Sequence, residues 1–546
     1  MIERSHPTDA DAASVENAHD RIERAVVAGR SFAKASQEEV DAIVDAMAHA
    51  ADVEAESLAR LAVDETGMGR VDSKVDKNLF VTRHLHERYR HLKTCGVVSR
   101  DPERGVMEIA APVGVVAGII PCTNPTSTAI FKGMIAVKSR NPIVLSPHPS
   151  AERCIAESTR VIAEAAVRAG APEGLISCMT APTLAGTHAL MKHPDTAVIV
   201  ATGGPGVVQA AYSSGKPAFG VGPGNAPVFV HRSADPEHTA RSLVLSQNFD
   251  YGTICSSEQA LVVEDAIADA LRTALEAQGA HFCSPSEAKR LADTVQTAEG
   301  QLNTAIVGRS PQAIAELAGI EVAPRTTVLI APESGVGRDF PLSREKLAPI
   351  LAWYTTPDWR SGCKLCLEIL SYGGTGHTLG IHARDASIVE QFALEKPVAR
   401  MIVNGPTTQG AIGLATGLAP SMTLGCGTMG GNITTDNIGP RHLLSIKRVA
   451  YPRAEFFRDH GLPLATEDHY PTELHPEAYE PTAPTVANRT HSGYRAEDTS
   501  EAPIRGAGPS VESSTGSPTE TTTESRIGAR TPPSRRFYLR NDGRDR

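Results

Sequence analysis

Short runs of β-branched and aliphatic residues alternate with alanine-rich stretches in the first half of the chain, and this alternation limits the possible folds most strongly. The apolar runs lie at residues 113–120, 143–145, 197–201 and 218–221, and a helical pattern covers residues 151–168. Strands that alternate with helices pair in parallel, because each helix returns the chain to the same edge of the sheet. The sequence therefore predicts an α/β fold with a doubly wound parallel sheet.

A second region of mixed pattern follows from about residue 250. A short apolar run at residues 260–263 predicts a strand, and helical patterns cover residues 264–278 and 358–371. A glycine-rich stretch occupies residues 405–439. We interpret this region as a second α/β domain.

The two ends of the chain differ from this middle part. Residues 1–18 are polar and are expected to be loose, whereas Ser36 followed by Glu39 predicts a capping box at the start of an amphipathic helix. The apolar stripe of that helix is Val40, Ile43, Val44 and Met47. Residues 463–546 lose all periodicity and are rich in Pro, Ser, Thr and Gly, so this tail is expected to be disordered. The tail is either an extension without a role or a tether for a partner.

Composition excludes several classes of protein. The net charge of -10 over 546 residues argues against a nucleic-acid binder, which would carry basic patches. The longest apolar stretch, residues 109–120, is too short for a membrane span, and the N-terminus has no apolar segment typical of a secretory signal. Nine scattered cysteines fit a reducing compartment. We therefore expect a cytoplasmic protein with no membrane or nucleic-acid partner.

Cys255 is the cysteine whose surroundings favour chemistry. It lies in a polar, glycine-containing loop at residues 249–258, just before the strand predicted at residues 260–263. A thiol at such a turn can be exposed, and backbone N–H groups can stabilise its thiolate. The sequence thus predicts Cys255 as a nucleophile.

A glycine turn at residues 201–206 resembles a dinucleotide-binding turn. Gly203, Gly204 and Gly206 follow a buried strand and precede a helix, where bare backbone lets a diphosphate approach the helix N-terminus. The third glycine of the G-x-G-x-x-G pattern is missing. An ordinary turn between strand and helix is the alternative interpretation.

The other cysteines and the clustered histidines favour structural roles. Cys363 and Cys366 form a C-x-x-C pair with no second pair to complete a zinc site, so no metal is expected. The remaining members of this set lie singly or on a charged helix: Cys95, Cys154, Cys178, Cys283, His84, His86 and His91.

Eight segments between about residues 24 and 451 together resemble the acylating, CoA-dependent aldehyde dehydrogenases. The likeness is strongest to the aldehyde dehydrogenase half of the bifunctional aldehyde-alcohol dehydrogenases, while the iron-dependent alcohol dehydrogenase half is not found. The segments lie at residues 121–131, 146–149, 201–206, 211–217, 249–258, 345–349, 374–378 and 425–432.

The resemblance implies catalytic roles for three residues. Cys255 would add to the aldehyde carbonyl, and the Asn124 amide together with the Cys255 N–H would hold the resulting oxyanion. His377 would assist deprotonation of the CoA thiol. From the residues alone, a turn-forming role is the better interpretation of Asn124 before Pro125, and His377 is as readily a buried structural histidine.

The resemblance also implies a cofactor site for NAD or NADP. Gly203, Gly204 and Gly206 would hold the diphosphate, Ser146 and His148 would face the adenosine ribose, and Glu345 would bind the nicotinamide ribose. A surface carboxylate beside Arg344 and Lys346 is the alternative role of Glu345. Coenzyme A would be the second substrate.

Residues 218–225 contain no glutamate, and this absence favours CoA over water as the acyl acceptor. Hydrolytic members of the superfamily carry a glutamate base in this segment, and we assign its place to Gly220. Without that base, water attacks a thioester slowly and CoA can take the acyl group. Glu258, three residues after the nucleophile, is a possible substitute base. We thus expect the chain to convert a short aldehyde, first of all acetaldehyde, reversibly to its acyl-CoA.

Three other functions remain as alternatives. They are a hydrolytic aldehyde dehydrogenase, an acylating enzyme for a charged aldehyde such as sulfoacetaldehyde, and a non-catalytic structural or filament subunit. We expect a homo-oligomer in each case. The predicted parts are a loose N-terminus (1–18), a nicotinamide cofactor-binding domain (19–249), a catalytic domain (250–430), a segment that returns to the first domain or makes an oligomer contact (431–462), and a disordered tail (463–546).

Overall fold

The computed structural model describes residues 8–461, so the predicted disordered tail and the first seven residues lie outside the described part. Fifteen strands are present in it. In chain order they are β1 (Gly96–Asp101), β2 (Val106–Pro112), β3 (Val115–Ile119), β4 (Ile143–Ser146), β5 (Ile176–Cys178), β6 (Thr196–Thr202), β7 (Ala218–Val221), β8 (Ala226–Val230), β9 (Glu258–Glu264), β10 (Ala280–Phe282), β11 (Val328–Pro332), β12 (Ile350–Thr356), β13 (Gly376–His382), β14 (Val398–Val403) and β15 (Leu444–Ala450).

The same described residues form seventeen α-helices, which connect and cover these strands. A π-helical segment, Phe80–Leu85, joins the fourth helix to the fifth helix. The helices are α1 (Asp9–Phe32), α2 (Gln37–Val53), α3 (Ala55–Thr66), α4 (Val71–Leu79), α5 (His86–Arg90), α6 (Pro125–Lys138), α7 (Glu152–Arg168), α8 (Leu184–Lys192), α9 (Pro205–Tyr212), α10 (Pro236–Asn248), α11 (Asp265–Ala277), α12 (Pro285–Val295), α13 (Pro311–Leu317), α14 (Trp359–Gly373), α15 (Ala386–Glu395), α16 (Thr407–Ala411) and α17 (Ala454–Asp459). None of the helices within residues 8–461 is both long and apolar enough to cross a lipid bilayer.

The first parallel sheet has five strands in the order β5-β4-β3-β6-β7. Its central strand is β3, in which Gly118 pairs with Leu145 of β4 and with Val200 of β6. Successive residues of β3 point to opposite faces, so Val116 joins the core beneath α2, α6 and α7 while Ala117 joins the core on the other face. This is the doubly wound arrangement that the alternating apolar runs predict, and the predicted α/β fold is confirmed.

The second parallel sheet has seven strands in the order β10-β11-β12-β9-β8-β13-β14. In chain order, β8 is the first strand of this second sheet. The chain therefore enters the second sheet before residue 249, the residue at which the sequence analysis ended the cofactor-binding domain. Every residue of β8 is buried, as in the strands of the first sheet, so its pattern carries no sign of the change.

A small antiparallel sheet, β1-β2-β15, brings the end of the described chain back to residues that precede the first parallel sheet. Leu444 of β15 pairs with Pro112 of β2, and Ala450 with Val106. The segment predicted at residues 431–462 thus contains a strand that returns to the N-terminal half. Its possible oligomer contact stays a prediction.

The prediction of a loose N-terminus is wrong over residues 9–18, because α1 begins at Asp9. Thr8 and Asp11 form a capping box there, and Ser14 and Ala18 are buried. The buried positions of α1 are mostly Ala and Ser, and such small side chains produce little apolar pattern in the sequence. The predicted capping box of Ser36 and Glu39 is confirmed at the start of α2.

Candidate active site

The carboxyl ends of the first sheet open into a cleft of about 660 Å³. Ile119, Ser146, Thr202 and Val221, which end or follow four neighbouring strands, lie on one wall. Ligands of doubly wound sheets bind at this edge, where the strand order reverses around β3. The cleft contains eight of the nine predicted site residues: Asn124, Ser146, His148, Gly203, Gly204, Gly206, Cys255 and Glu345.

Cys255 lies on a tightly turned loop between α10 and β9. After α10 the chain forms a short 3₁₀ segment, Phe249–Gly252, in which Asp250 and Tyr251 take left-handed φ angles of 53° and 51°. The ninth predicted residue, His377, is fully buried in β13 directly behind the thiol. Its Nε2 lies 3.1 Å from Cys255 Sγ, and its Nδ1 lies 2.9 Å from the Thr378 hydroxyl.

Both members of this pair are neutral when nothing is bound. Burial, reinforced by Glu345, raises the pKa of Cys255 to about 12. Burial and the charge of Arg400 lower the pKa of His377 to about 3. Desolvation thus outweighs the effect of the backbone N–H on the pKa of Cys255 and favours the thiol over the resting thiolate that the loop was expected to stabilise. A neutral imidazole beside a thiol can instead take the proton as the sulfur reacts.

Asn124 is the N-cap residue of α6, at the end of that helix that faces the cleft, but its side chain makes no capping hydrogen bond to the helix. The amide nitrogen donates to the Thr253 carbonyl and to the Thr123 hydroxyl, each over 3.2 Å, and the amide oxygen accepts from Lys77 Nζ over 2.6 Å. An ammonium group can only donate, so the oxygen must face Lys77 and the NH₂ must face the Cys255 loop. The NH₂ group is thus directed to the side where the oxyanion would form.

A buried ion cluster behind Asn124 escaped the sequence analysis. Asp250 is fully buried and accepts hydrogen bonds from the ammonium groups of Lys74 and Lys77. Burial opposes ionisation of Asp250, but the two lysines outweigh it and lower the pKa of this carboxyl group. The spacing of Lys74 and Lys77 places both on one face of α4. This spacing was the only feature of the sequence that could have indicated the cluster.

Glu345 projects into the cleft, and its Oε1 accepts a hydrogen bond of 2.9 Å from the Gly224 N–H. Burial raises the pKa of this carboxyl group to about 8. The neighbouring Lys346 turns the other way, and its ammonium donates to the carbonyls of Gln259 and Leu342. Glu345 therefore lines the same cleft as Cys255, and its role at the nicotinamide ribose stays a prediction.

The glycine turn leaves room for a dinucleotide. Gly204 is the N-cap of α9, and a Cβ added to Gly204 or Gly206 would meet no atom within 4 Å. The free N–H groups at the start of α9 can bind a diphosphate there. Nearby, the hydroxyl of Ser146 lies 2.8 Å from that of Thr187, and His148 Nδ1 accepts from the Ser150 N–H. These residues fit the predicted cofactor.

Neither the position considered for the missing glutamate base, Gly220, nor the possible substitute base, Glu258, lines the cleft. Gly220 does not line the cleft, and a Cβ there would meet Tyr212 and Val208 at 2.9 Å, away from Cys255. The neighbouring Val221 and Gly222 face the cleft instead, and residues 218–225 contain no carboxylate at all. Glu258 is fully buried, bonds the Thr407 N–H and does not line the cleft.

The C-x-x-C pair lies far from this chemistry in α14. Both thiols are buried, and that of Cys363 contacts the ammonium of Lys396 and the carboxylate of Glu395. Within residues 8–461 no three His, Cys, Asp or Glu side chains lie together as metal ligands.

Comparison with known proteins gives the same family. Residues 3–291 match the aldehyde dehydrogenase family. The chain is 42% identical over 462 residues to the bifunctional aldehyde-alcohol dehydrogenase of Escherichia coli (strain K12). This match covers 82% of this chain and 52% of that relative. It thus spans about half the length of such curated relatives.

Solved structures of similar size extend the likeness. An acetylating aldehyde dehydrogenase from Geobacillus thermoglucosidasius is 50% identical with a TM-score of 0.80, and the match covers 82% of this chain and 98% of that one. A propionaldehyde dehydrogenase from Rhodopseudomonas palustris, solved with bound CoA and an acylated cysteine, is 28% identical with a TM-score of 0.71, over 80% and 97%. Because the family match covers more than half of the residues and the fold agrees over nearly the whole of these structures, the chain belongs to the aldehyde dehydrogenase family.

Proposed function

We propose that this protein is an acylating aldehyde dehydrogenase, which converts a short aldehyde, CoA and NAD or NADP reversibly to an acyl-CoA and the reduced cofactor. The carrying observation is the pair of Cys255 Sγ and His377 Nε2, 3.1 Å apart at the cleft, beside a segment that offers no carboxylate base for water. Acetaldehyde is the first candidate substrate, and homo-oligomer formation remains part of this proposal.

The reaction begins at the thiol of Cys255. As Sγ bonds to the carbonyl carbon, the thiol proton passes to His377 Nε2 and the carbonyl oxygen becomes an alkoxide. The Asn124 NH₂ and the Cys255 N–H donate to that oxygen, and no other described residue accepts a hydrogen bond from this N–H. For this, the Asn124 NH₂ exchanges its hydrogen bond to the Thr123 hydroxyl or to the Thr253 carbonyl for one to the alkoxide.

The glycine turn and Glu345 would hold the nicotinamide cofactor, which would supply the acceptor for a hydride from the alkoxide carbon. When the C–H bond gives up its hydride, the alkoxide collapses to a thioester on Cys255, and the first proton leaves His377 for solvent. The CoA thiol then gives its proton to His377 as its sulfur attacks the thioester. Cys255 departs as a thiolate and recovers that proton, so one turnover releases one proton in total.

Two observations support CoA rather than water as the acyl acceptor. Residues 218–225, of which Val221 and Gly222 line the cleft, contain no carboxylate that could activate water. The Rhodopseudomonas palustris structure holds both CoA and an acylated cysteine, as expected of an enzyme whose thioester waits for CoA.

The glycine turn provides a test of cofactor binding. Changing Gly206 to valine should weaken binding of NAD by more than about tenfold, because the side chain would occupy space that the diphosphate needs. The fold should survive, since a Cβ at this position meets no neighbour. Titration with NADH, which is fluorescent and carries the same diphosphate, measures the affinity, and Gly417→Val, at another open glycine outside the cleft, serves as the matched control. Unchanged affinity in Gly206→Val would place the diphosphate elsewhere.

The acyl acceptor is tested by NADH formation from acetaldehyde with and without CoA. With CoA, we expect steady turnover. Without it, we expect a burst of about one NADH per active site followed by a rate at least about a hundredfold lower. Sustained NADH formation without CoA at a comparable rate would show that water is the acceptor and would contradict the proposal.

A further inference from the structure

The buried cluster of Lys74, Lys77 and Asp250 is a charged group beside the active site to which the mechanism above gives no role. The three side chains are at most 2% exposed. Burying three charges is costly, and replacing such a cluster with apolar residues is often neutral or stabilising. Stability alone therefore does not account for an ion cluster at this position.

The two lysines differ in what they contact beyond Asp250. Lys77 Nζ donates to Asn124 Oδ1 over 2.6 Å and to the Thr253 hydroxyl over 3.0 Å. Lys74 Nζ donates instead to the backbone carbonyl of Thr123 over 3.1 Å. Lys77 alone thus contacts the side chain that is assigned to the oxyanion.

This contact has two consequences for Asn124. It fixes the orientation of the amide, because a flipped amide would place its NH₂ against an ammonium that cannot accept. It also draws electron density toward Oδ1, which makes the NH₂ a stronger donor. The fixed orientation and the stronger NH₂ donor both matter most when the alkoxide forms on the other side of the amide.

Asp250 holds Lys77 in place for this role. Its carboxylate accepts from Lys77, Lys74 and the Thr253 hydroxyl, and also from the Arg70 N–H over 2.7 Å. A Cβ added to Gly69 would meet this carboxylate at 1.9 Å, so the segment after α3 packs directly against it. The cluster therefore ties α4 to both the Asn124 loop and the Cys255 loop.

We propose that Lys77 is a positioning residue of the reaction, which orients and polarises the Asn124 amide so that its NH₂ stabilises the thiohemiacetal oxyanion. This inference rests on the proposed function. Lys77 touches neither substrate nor cofactor and acts through Asn124 alone.

The test is a double-mutant cycle of Lys77→Met and Asn124→Ala, read as kcat and KM for acetaldehyde oxidation with CoA. Lys77→Met is expected to lower kcat by about thirtyfold, with KM for NAD and CoA within about threefold of wild type. In the Asn124→Ala background, the same change should lower kcat by less than about threefold, because the amide through which it acts is gone.

Lys74→Met is the matched control, since it breaks the same buried cluster but leaves the Lys77 contact with Asn124. It should lower the melting temperature as Lys77→Met does while kcat stays within about threefold. If Lys77→Met does not fold, Lys77→Gln enters the same cycle with the same expected loss of effect in the Asn124→Ala background.

Two outcomes would overturn the inference and can be told apart. If Asn124→Ala impairs kcat but Lys77→Met costs equally in both backgrounds, Lys77 does not act through Asn124, and the proposed function stands. If Asn124→Ala itself leaves kcat unchanged, the oxyanion assignment fails and the role of Lys77 fails with it.

Discussion

Replacing Cys255 with serine is expected to lower NADH formation by more than about a thousandfold, or about 4 kcal/mol of activation free energy. A hydroxyl is a far weaker acid than a thiol, and a buried imidazole with a pKa of about 3 cannot compensate for that difference. The affinity for NAD should remain within a few fold, because the serine leaves the glycine turn untouched. Steady-state rates and cofactor titration measure the two quantities.

A second cysteine in the same cleft gives the control for this experiment. Cys122 also lines the cleft, but among residues 8–461 no imidazole lies within hydrogen-bond distance of its thiol, as His377 does for Cys255. Cys122→Ser should therefore retain most of the activity. If Cys255→Ser keeps more than a tenth of the wild-type rate, the nucleophile is a different residue.

Replacing Asn124 with alanine is expected to lower kcat by about a hundredfold to a thousandfold, which corresponds to about 3 to 4 kcal/mol for the loss of one oxyanion donor. Asn124→Asp keeps the shape of the side chain and its contact with Lys77, but it removes the donating NH₂. We therefore expect the aspartate variant to be as impaired as the alanine variant, with circular dichroism unchanged. Rates within about threefold of wild type in both variants would exclude Asn124 from the oxyanion site.

The sequence predicted the regular elements well where apolar side chains mark them. Strand β7 has the predicted bounds, and α11 differs from the predicted helix by one residue at each end. Helix α1 was missed in part because small residues such as Ser14 and Ala18 make its buried face. The change of sheet at β8 was missed because a fully buried strand looks the same in either sheet.

The site residues divide in a similar way. Motifs identified Cys255, Asn124 and Glu345, since the family keeps these residues in recognisable segments. The cluster of Lys77 and Asp250 joins positions far apart in the chain, and no local pattern reports such a pairing. The place of the missing glutamate was assigned to Gly220, whereas Val221 and Gly222 line the cleft, because side chains alternate along a strand and an offset of one residue reverses their direction.

The central claim is that Cys255 carries the acyl group until CoA removes it, and the most direct measurement is peptide mass spectrometry of the acyl-enzyme. The enzyme is mixed with NAD and acetaldehyde without CoA, quenched, digested and examined for acetylated Cys255. We expect about one acetyl group on Cys255 per active site. When CoA is added before the quench, we expect this acetyl group to be lost and acetyl-CoA to form. Absence of acetylated Cys255, or its loss as free acetate at the same rate with and without CoA, would contradict the account.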